Sequence, residues 1–535
     1  MRMKSRVTKC AAVVGLIAGA LAMTAGTSAA ASEHSDGTHA TLVVSNHSTT
    51  TWSGGERGGR RCANPKYSSI VTAVAAANPG DTVLVCPGTY AEDVTVDKPL
   101  SLVGNHATIN AATLENGIVI TSSDVSVSGF TITGALGEGI LAQPAGTSSA
   151  PFPLTSASQA LQPISAIGIW GNVVTANDQG GDPITHQCTA VGLYPGDCGG
   201  GIHFNTVSDS FAVNNVVTHN DDGILLTDDV GPNFGNYIAD NFVAHNIYEC
   251  GIVLPSHNSF SVAFTQNPDG TYTTGALTPA SGGVFDNWVY NNQVIDNGSF
   301  VVPPYGGSGS GVGIFAPGPG SASYDNTVVK NFIVGSGQSG FTIHAHYLGG
   351  EYVSGNRILK NWFGTNNIGG DGLDGPNTDP DFSTTAILVF SAVHVDIVIA
   401  GNHIYGNHIG IWLSADVNAR GLGTNTIKGA TTAIYTSLKP VAFTGPVLAS
   451  TAPTATVAAL VNPNGLATTY YVEYGTTMSY GSVTPTASAG SGLAPEGLPV
   501  TITGPLTSGV TYHYQVVATN SAGTTDGGDQ SFTES

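Results

Sequence analysis

The chain of 535 residues carries 15 Lys and Arg against 36 Asp and Glu, a formal net charge of −21, and only 10% of its residues are charged. So few basic residues exclude a nucleic-acid-binding protein, which needs clustered Lys and Arg to bind phosphates. So little charge also excludes a coiled coil. The 71 glycines lack the period of collagen. Together with many Asn, Thr and Val, they predict extended structure with tight turns.

Residues 1–31 have the pattern of a secretory signal. A basic start precedes an apolar stretch from Cys10 to Ala25, which is too short to span a bilayer. Ala29 and Ala31 give a small-x-small cleavage site. No later stretch is predicted to span a membrane, so we expect a secreted, extracellular protein, with residues 32–61 as an N-terminal linker.

Five cysteines remain after cleavage, and export permits disulfides. Cys62 and Cys86 flank one helix-then-strand unit and are a predicted pair. Cys188 and Cys198 lie in one Gly-rich loop and form a second candidate pair, with Cys198–Cys250 as the alternative. The spacings do not match zinc sites.

A short phrase recurs along the chain: Asn, an apolar residue, a polar run ending in Asn, then Gly followed by an apolar residue. Clear copies are 214–224, 240–252 and 401–411. The Gly-apolar steps fall at Gly139, Gly168, Gly201, Gly223, Gly251, Gly313, Gly340 and Gly410, and most adjacent steps lie 22 to 33 residues apart. Insertions rich in Gly, Pro and Thr fill the wider gaps.

Each copy holds short apolar stretches with period two, which predict strands, while Gly and Asn permit left-handed turns. One such copy cannot bury its own apolar face. Stacking successive copies at the strand spacing of ~4.8 Å buries a continuous core. Asn at one place per copy is expected to form a ladder. The pattern therefore predicts a parallel β-solenoid of about ten coils, with the amphipathic segment Tyr67–Asn78 as a helix that caps the first coil.

The stretches Ala77–Val83, Cys86–Tyr90 and Leu100–Gly104 resemble the opening of secreted right-handed parallel β-helix proteins. The later Asn and Gly-Ile repeats resemble the NosD-like and pectin-lyase-like branch of that superfamily. The resemblance covers residues 62–436 and implies an all-β, right-handed parallel β-helix. It implies no single activity, because the fold hosts lyases, hydrolases, esterases and non-enzymes.

Residues 437–454 are rich in proline and predict a linker. Residues 455–535 then alternate as short strands and turns, which predicts a small β-sandwich. The phrases at 461–465, 470–475 and 518–523 resemble fibronectin type III modules of secreted bacterial proteins. Such a module implies a spacer or a binding accessory.

In a strand that opens with Gly-Ile, the residue after Ile points away from the core. The copies predict an outward column of Trp170, His203, Leu225, Val253, Phe315, Thr342 and Trp412, with Asn205 and His344 in the next column. Aromatic rings beside amides suit carbohydrate. The predicted substrate-binding residues are Trp170, His203, Asn205, Phe315, His344 and Trp412. The alternative is that the insertions at 141–165, 258–283 and 364–385 cover this face.

A second group of candidate residues lies in the turns before the glycines of the Gly-apolar steps. His219 and His245 occupy the same place in neighbouring copies, so stacked coils are expected to bring them together. With Asp222, Asp228 and Glu249 they form the candidate catalytic set, as a general acid–base pair or a metal site. The alternative is a row of solvated turn residues.

An oxygen-rich loop contains Asp371, Asp374, Asp379 and Asp381, which are the candidate calcium ligands. The spacing is not that of an EF-hand, and the same residues also form ordinary turns. No cofactor other than calcium is indicated.

Basic residues are absent from position 99 to position 329. The later coils carry Lys330, Arg357, Lys360, Arg420 and Lys428. Lys330 and Lys360 both precede an Asn-aromatic pair and are expected to stack on one face. An acidic middle that lacks cations would repel polyuronates, which favours a neutral glycan.

The first hypothesis is a secreted, monomeric β-helix protein that binds extracellular, neutral polysaccharide or a cell-surface glycan, with cleavage by hydrolase or lyase chemistry left open. The alternative is a surface or matrix interaction protein without catalysis. A third hypothesis is a metal-handling, NosD-like protein that binds its metal through histidines at equivalent places in neighbouring copies, such as His219 and His245.

Overall fold

The computed structural model describes residues 39–46, 62, 64–147, 153–178, 200–246, 248–302, 306–345, 347–370 and 383–534. The predicted signal, Cys188, Cys198 and the calcium candidates Asp371, Asp374, Asp379 and Asp381 lie outside these residues. The described chain is almost entirely β-structure, and its largest sheets are parallel. The predicted parallel β-helix is therefore confirmed.

Three parallel sheets form the β-helix. Sheet 1 has 11 described strands: Val94–Val96, Ile118–Ile120, Ile140–Ala142, Gly200–Asn205, Asp222–Thr227, Ile252–Pro255, Val312–Ala316, Phe341–Ala345, Thr385–Ser391, Ile409–Ser414 and Thr432–Ser437. Sheet 3 has five: Ile164–Ser165, Val207–Ser208, Asn233–Phe234, Val284–Phe285 and Ser323–Tyr324.

Sheet 2 has 21 described strands and two short strands in most of its coils. They are Thr41–Val44, Thr82–Val85, Gly88–Tyr90, Leu100–Asn110, Val125–Thr133, Gly168–Trp170, Val173–Thr175, Phe211–Val213, Val216–Thr218, Tyr237–Ala239, Phe242–Ala244, Trp288–Tyr290, Gln293–Ile295, Thr327–Val329, Phe332–Val334, Arg357–Leu359, Trp362–Phe363, Val395–Ala400, His403–Tyr405, Val417–Arg420 and Thr426–Lys428. Inside the stacked coils, Ile, Val and Phe from all three sheets fill one continuous core.

The predicted asparagine ladder is confirmed, and it marks the bend between the two strands of sheet 2. Its members are Asn172, Asn215, Asn241, Asn292, Asn331, Asn361, Asn402 and Asn425, and each Nδ2 donates to the next Oδ1 over 2.8 to 3.1 Å. The residue before most of these asparagines has a left-handed φ, for example +56° at Asp240 and +60° at Lys330. The backbone therefore turns at one residue, and the next side chain satisfies the buried groups that the turn leaves.

The glycines of the Gly-apolar steps have a different role from the one that the sequence predicts. None of Gly139, Gly201, Gly223, Gly251 or Gly340 has a left-handed φ. A Cβ on Gly223 would instead overlap Gly251 O and the Cγ1 of Val243. These glycines are required because the neighbouring coil and sheet 2 approach the backbone too closely for a side chain.

A short helix caps the first coil, as predicted, and spans Ile70–Ala76. The Ser69 side chain accepts from Thr72 N at its start, and Glu92 accepts from the amides of Ile70 and Val71. Its apolar face joins the main core. The predicted Cys62–Cys86 disulfide beside it is confirmed. Short 3₁₀ turns lie at Ala157–Gln159 and Leu422–Thr424.

Two antiparallel sheets follow the β-helix. One contains Val441–Thr451, Thr454–Asn462 and Glu496–Ile502, and the other contains Thr468–Gly475, Ser482–Val483, Ala487–Gly490, Thr511–Asn520, Gly523–Asp526 and Gln530–Thr533. They share a core that includes Val457, Val472 and Val516. These sheets begin inside the range that the sequence predicts as a linker. The fibronectin-like identity remains a prediction.

Two small hairpins project from the coils. They pair Val262–Gln266 with Tyr272–Leu277, and Val301–Val302 with Gly306–Gly307. Among the described residues, no helix has the length and apolar character needed to cross a membrane.

Candidate functional site

The predicted outward column of sheet 1 is correct for most members and wrong for two. The strand register aligns Leu141, His203, Leu225, Val253, Gly313, Thr342, Leu388 and Trp412. Phe315 lies in the next column, in register with His344, because the step glycine of its coil is Gly311 rather than Gly313. Trp170 belongs to sheet 2, where it lies in register with Val213.

The sheet 1 column is covered rather than open. His203 and Trp412 are each 1% exposed, His344 is 2% exposed and Asn205 is 3% exposed. Trp412 packs in a satellite cluster with Leu388 and Ile409. The alternative of a covered face is therefore the one that the structure shows, and these residues do not form an accessible platform for a polymer.

The candidate catalytic set does not converge. His219 and His245 do come together, with ring centroids 5.5 Å apart and planes tilted by 39°, but both are exposed residues in left-handed turns. Asp222 begins a strand and Asp228 follows the end of the same strand, so their Cα atoms are roughly 20 Å apart. Glu249 lies in the turn before Gly251, on the Asp222 side. Within the described ranges, no three His, Cys, Asp or Glu side chains group as metal ligands.

A buried acid–histidine network lies on sheet 1 instead. Glu138 Oε1 is 2.7 Å from His203 Nδ1, and Glu138 Oε2 accepts from Gly200 N. His203 Nε2 is 2.8 Å from Thr227 Oγ1. The imidazole is thus held on both sides, by a carboxylate on the preceding coil and a hydroxyl on the following one.

The second half of the network joins Asn205, Asp229 and His257. Asp229 Oδ2 accepts from Asn205 Nδ2 over 2.9 Å, and Oδ1 is 2.8 Å from His257 Nδ1. Burial alone would raise the pKa of Asp229, but the hydrogen bond and charge of His257 outweigh it and lower the pKa. The imidazoles of His203 and His257 are only 1% and 7% exposed, so the network does not present them to solvent.

Asp228, next to this network, accepts five hydrogen bonds. Its Oδ2 receives the hydroxyls of Ser256 and Ser261 and the amide of Gly283, and its Oδ1 receives the amides of His257 and Asn258. Burial raises the pKa of Asp228, and the hydrogen bonds from Ser261 and Gly283 oppose that rise. Asp228 therefore fastens both ends of the insertion at 256–283 to the coil and is not a free catalytic acid.

Sequence reasoning missed Glu138 as a member of this cluster. Glu138 directly precedes the step glycine Gly139, where its neighbours in sheet 1 are Gly200 and Asp222. His257 comes after the strand Ile252–Pro255 has ended. The only usable signal for Glu138 was its distance from His203 counted in whole coils, and the intervening insertion hides that count.

Six exposed aromatic residues lie on the outer face of sheet 2. We call them the aromatic strip: Trp170, Phe211, Tyr237, Trp288, Phe332 and Trp362, which are 36% to 49% exposed. Phe211, Tyr237 and Trp288 align in consecutive coils, and Phe332 aligns with Trp362. Because the strand between two turns is only three residues long, its central residue enters the core and its ends point to solvent.

Rings along the aromatic strip contact one another. Phe332 and Trp362 stack with centroids 4.6 Å apart, and Trp362 stacks on Tyr405 at 5.4 Å. Tyr237 stacks on Tyr290 at 5.8 Å. The strip therefore consists of two preformed rows of rings along the stack of coils, one on the strand before the bend and one on the strand after it. Of the predicted substrate-binding residues only Trp170 belongs to it.

A separate buried carboxyl, that of Glu351, gives a test of pH dependence. Burial raises its pKa well above the ordinary value, and the hydrogen bond from Tyr347 N opposes that rise only in part. A carboxyl that binds its proton more tightly when folded loses stability as the pH rises from its ordinary pKa through the raised one. We expect Glu351→Gln to melt at a higher temperature than wild type near pH 8, with the difference shrinking near pH 4.

The exposed Glu115→Gln is the matched control for that measurement and should melt like wild type at both pH values. A Glu351→Gln difference that stays constant between the two pH values would contradict the assignment.

Comparison with known proteins finds solved structures of low similarity to this chain. No protein-family profile and no curated protein matches the chain. The A-module of mannuronan C-5 epimerase from Azotobacter vinelandii is 14% identical, with a TM-score of 0.39 over 68% of this chain and 92% of that chain. The enzymatically active domain of bacteriophage CBA120 tailspike protein 2 is 11% identical, with a TM-score of 0.37 over 87% and 73%.

A pectin methylesterase in complex with a hexasaccharide is 9% identical, with a TM-score of 0.25 over 71% of this chain and 80% of that chain. The parallel β-helix assignment therefore rests on the strand register of this chain itself.

Proposed function

We propose that this protein is an exported polysaccharide-binding protein and that the glycan lies along the aromatic strip. The exposure of six aromatic side chains on one face of sheet 2 is the observation that supports it. Monomeric soluble proteins rarely leave such apolar area uncovered unless it binds something.

The geometry of the strip suits an extended sugar chain. Flat aromatic faces pack against the C–H faces of sugar rings, and neighbouring coils repeat every ~4.8 Å. A ligand that runs along the coils therefore meets a new ring at each step from Phe211 to Trp288, and Phe332 with Trp362 forms a second row on the strand after the bend. Sheet 1 offers no comparable surface, because its outward column is buried.

Export is supported by the Cys62–Cys86 disulfide, since such bonds persist in oxidising compartments. The signal-like pattern at residues 1–31 points the same way. We therefore place the ligand outside the cell, in a matrix or on a cell surface.

Trp288→Ala and Trp362→Ala test the assignment. Each variant is expected to bind a soluble neutral glycan about tenfold more weakly, because each loses one stacking contact worth about 1.4 kcal/mol. Affinity electrophoresis against a panel of neutral glycans, followed by calorimetry on those that bind, measures the change. Both side chains are exposed, so the fold should tolerate their loss.

Met478→Ala is the control, because Met478 is 67% exposed but belongs to the C-terminal sheets. It should bind like wild type. Unchanged affinity in both tryptophan variants, or an equal loss in the Met478 variant, would contradict the aromatic strip as the binding surface.

A further inference from the structure

The cations of the later coils form one exposed group. We call Lys330, Arg357, Lys360, Arg420 and Lys428 the basic patch; all five are exposed, and all lie on strands or turns of sheet 2. No other Lys or Arg occurs between position 99 and position 438. An acidic chain with a net charge of −21 thus carries all the cations of its later coils on one face, that of sheet 2.

Strand register brings these cations together. Arg357 and Arg420 are both in register with Val398, which lies on the coil between them. Lys330 and Lys360 occupy equivalent left-handed turns of adjacent coils, directly before the ladder residues Asn331 and Asn361. Lys428 lies in register with Tyr405.

Within the described part of the chain, none of the five has an ion-pair partner. Like charges side by side on neighbouring coils are unfavourable, so Lys330 and Lys360 cost stability where they are. The nearby carboxylate of Asp396 is already engaged by Asn418 and His394.

The basic patch is continuous with the aromatic strip. Lys330 Nζ lies 5.1 Å from the centre of the Tyr290 ring and 3.3 Å from its hydroxyl oxygen. Lys428 Nζ lies 6.0 Å from the centre of the Tyr405 ring, which in turn stacks on Trp362. A ligand on Phe332 and Trp362 would therefore have cations on both sides.

We propose that the basic patch binds carboxylate or sulfate groups of an acidic polysaccharide whose sugar rings lie on the aromatic strip. This inference rests on the proposed function and replaces the neutral ligand that the sequence predicts. The acidic surface elsewhere repels anions, so it directs the charged groups to this end of the face. An anion here also relieves the repulsion between Lys330 and Lys360.

Three soluble cellulose derivatives separate the contributions of ring stacking and charge. Hydroxyethylcellulose is neutral, carboxymethylcellulose carries carboxylates, and cellulose sulfate carries sulfate esters on the same backbone. At low salt we expect at least one anionic derivative to bind about tenfold more tightly than the neutral one, with an advantage that disappears at high salt. Whichever anionic derivative binds more tightly identifies the charged group.

The double variant Lys330→Asn/Lys360→Asn tests the patch itself. Asparagine already occupies the equivalent left-handed turns at Asn214 and Asn291, so the backbone is preserved. We expect binding of the anionic derivative to weaken about fivefold to tenfold, at about 0.5–0.7 kcal/mol for each exposed charge. Binding of hydroxyethylcellulose should not change.

Lys66→Glu is the charge-matched control, because it also lowers the net charge by two and Lys66 is exposed near the capping helix. It should retain the preference for the anionic derivative. An equal loss in this control, or no preference for either anionic derivative while hydroxyethylcellulose binds, overturns the inference and leaves the proposed function intact.

Binding of the anionic derivatives alone, lost in the double variant, would support the patch and contradict ring stacking as a sufficient basis for binding. Binding of none of the three would overturn both proposals.

Discussion

Asp228→Ala is expected to lower the free energy of unfolding of the β-helix by about 4 kcal/mol. The substitution removes the carboxylate that accepts from two hydroxyls and three backbone amides, and it leaves the three amides without this acceptor. A buried donor that loses its partner costs about 1–3 kcal/mol, and relaxation of the insertion recovers part of the sum. Chemical denaturation followed by circular dichroism measures the loss.

The same variant should also loosen the insertion at 256–283 before the coils unfold, because Asp228 holds both of its ends. Limited proteolysis is expected to cleave the hairpin Val262–Leu277 faster than in wild type. Asp286→Asn is the control, since Asp286 is exposed in a turn of sheet 2 and its replacement should change stability by less than about 0.5 kcal/mol. Similar stability of the two variants would show that Asp228 does not anchor the insertion.

Gly223→Ala is expected to lower the free energy of unfolding by about 3 kcal/mol or more. Elsewhere, replacing glycine with alanine usually stabilises a protein when the backbone conformation allows it. The added Cβ has no room between Gly251 O and the Cγ1 of Val243, so the coils must separate locally. Overpacking of this kind costs about 1–3 kcal/mol, and here it also disturbs backbone hydrogen bonds to the next coil.

Gly318→Ala provides the matched comparison. A Cβ at Gly318 meets nothing within 4 Å, and the residue has no left-handed φ. This variant should be as stable as wild type or slightly more stable, because alanine restricts the unfolded chain. If Gly223→Ala were equally harmless, close approach would not be the reason for glycine at the Gly-apolar steps.

Gly223 and Asp228 differ in what the sequence revealed about them. The spacing of Gly223 within the repeat predicted that it matters, but local reasoning assigned it a turn conformation. Its real constraint is a distance to the next coil, which no local pattern encodes. Asp228 was singled out as a candidate acid, yet its five donors come from residues 28 to 55 positions later, beyond an insertion with no repeat pattern.

The candidate ligand-binding surfaces show the same difference between what the repeat predicts and what packing of distant segments decides. Alternation predicted that the residue after each Gly-Ile points away from the core, and the register confirms it for His203 and Trp412. Alternation does not say whether another part of the chain covers that side. Both residues are buried, whereas Trp288, which no motif marked, and Trp362, which an Asn-aromatic pair marked only as a neighbour of Lys360, are exposed on sheet 2.

By itself, the sequence determined the repeat, the parallel stacking of coils, the asparagine ladder, the capping helix and the Cys62–Cys86 pair. Each of these depends on residues at fixed spacing, because one coil contacts only its neighbours. It also determined where cations are absent, and therefore which end of the molecule can attract an anion.

Only the tertiary structure decided which face is open, how Glu138 and His257 join the buried network and which side chains form the aromatic strip. Those outcomes depend on which outward side chains of sheet 1 are buried and which of sheet 2 stay exposed. Their contacts are set by packing between distant segments, for which the sequence carries no period.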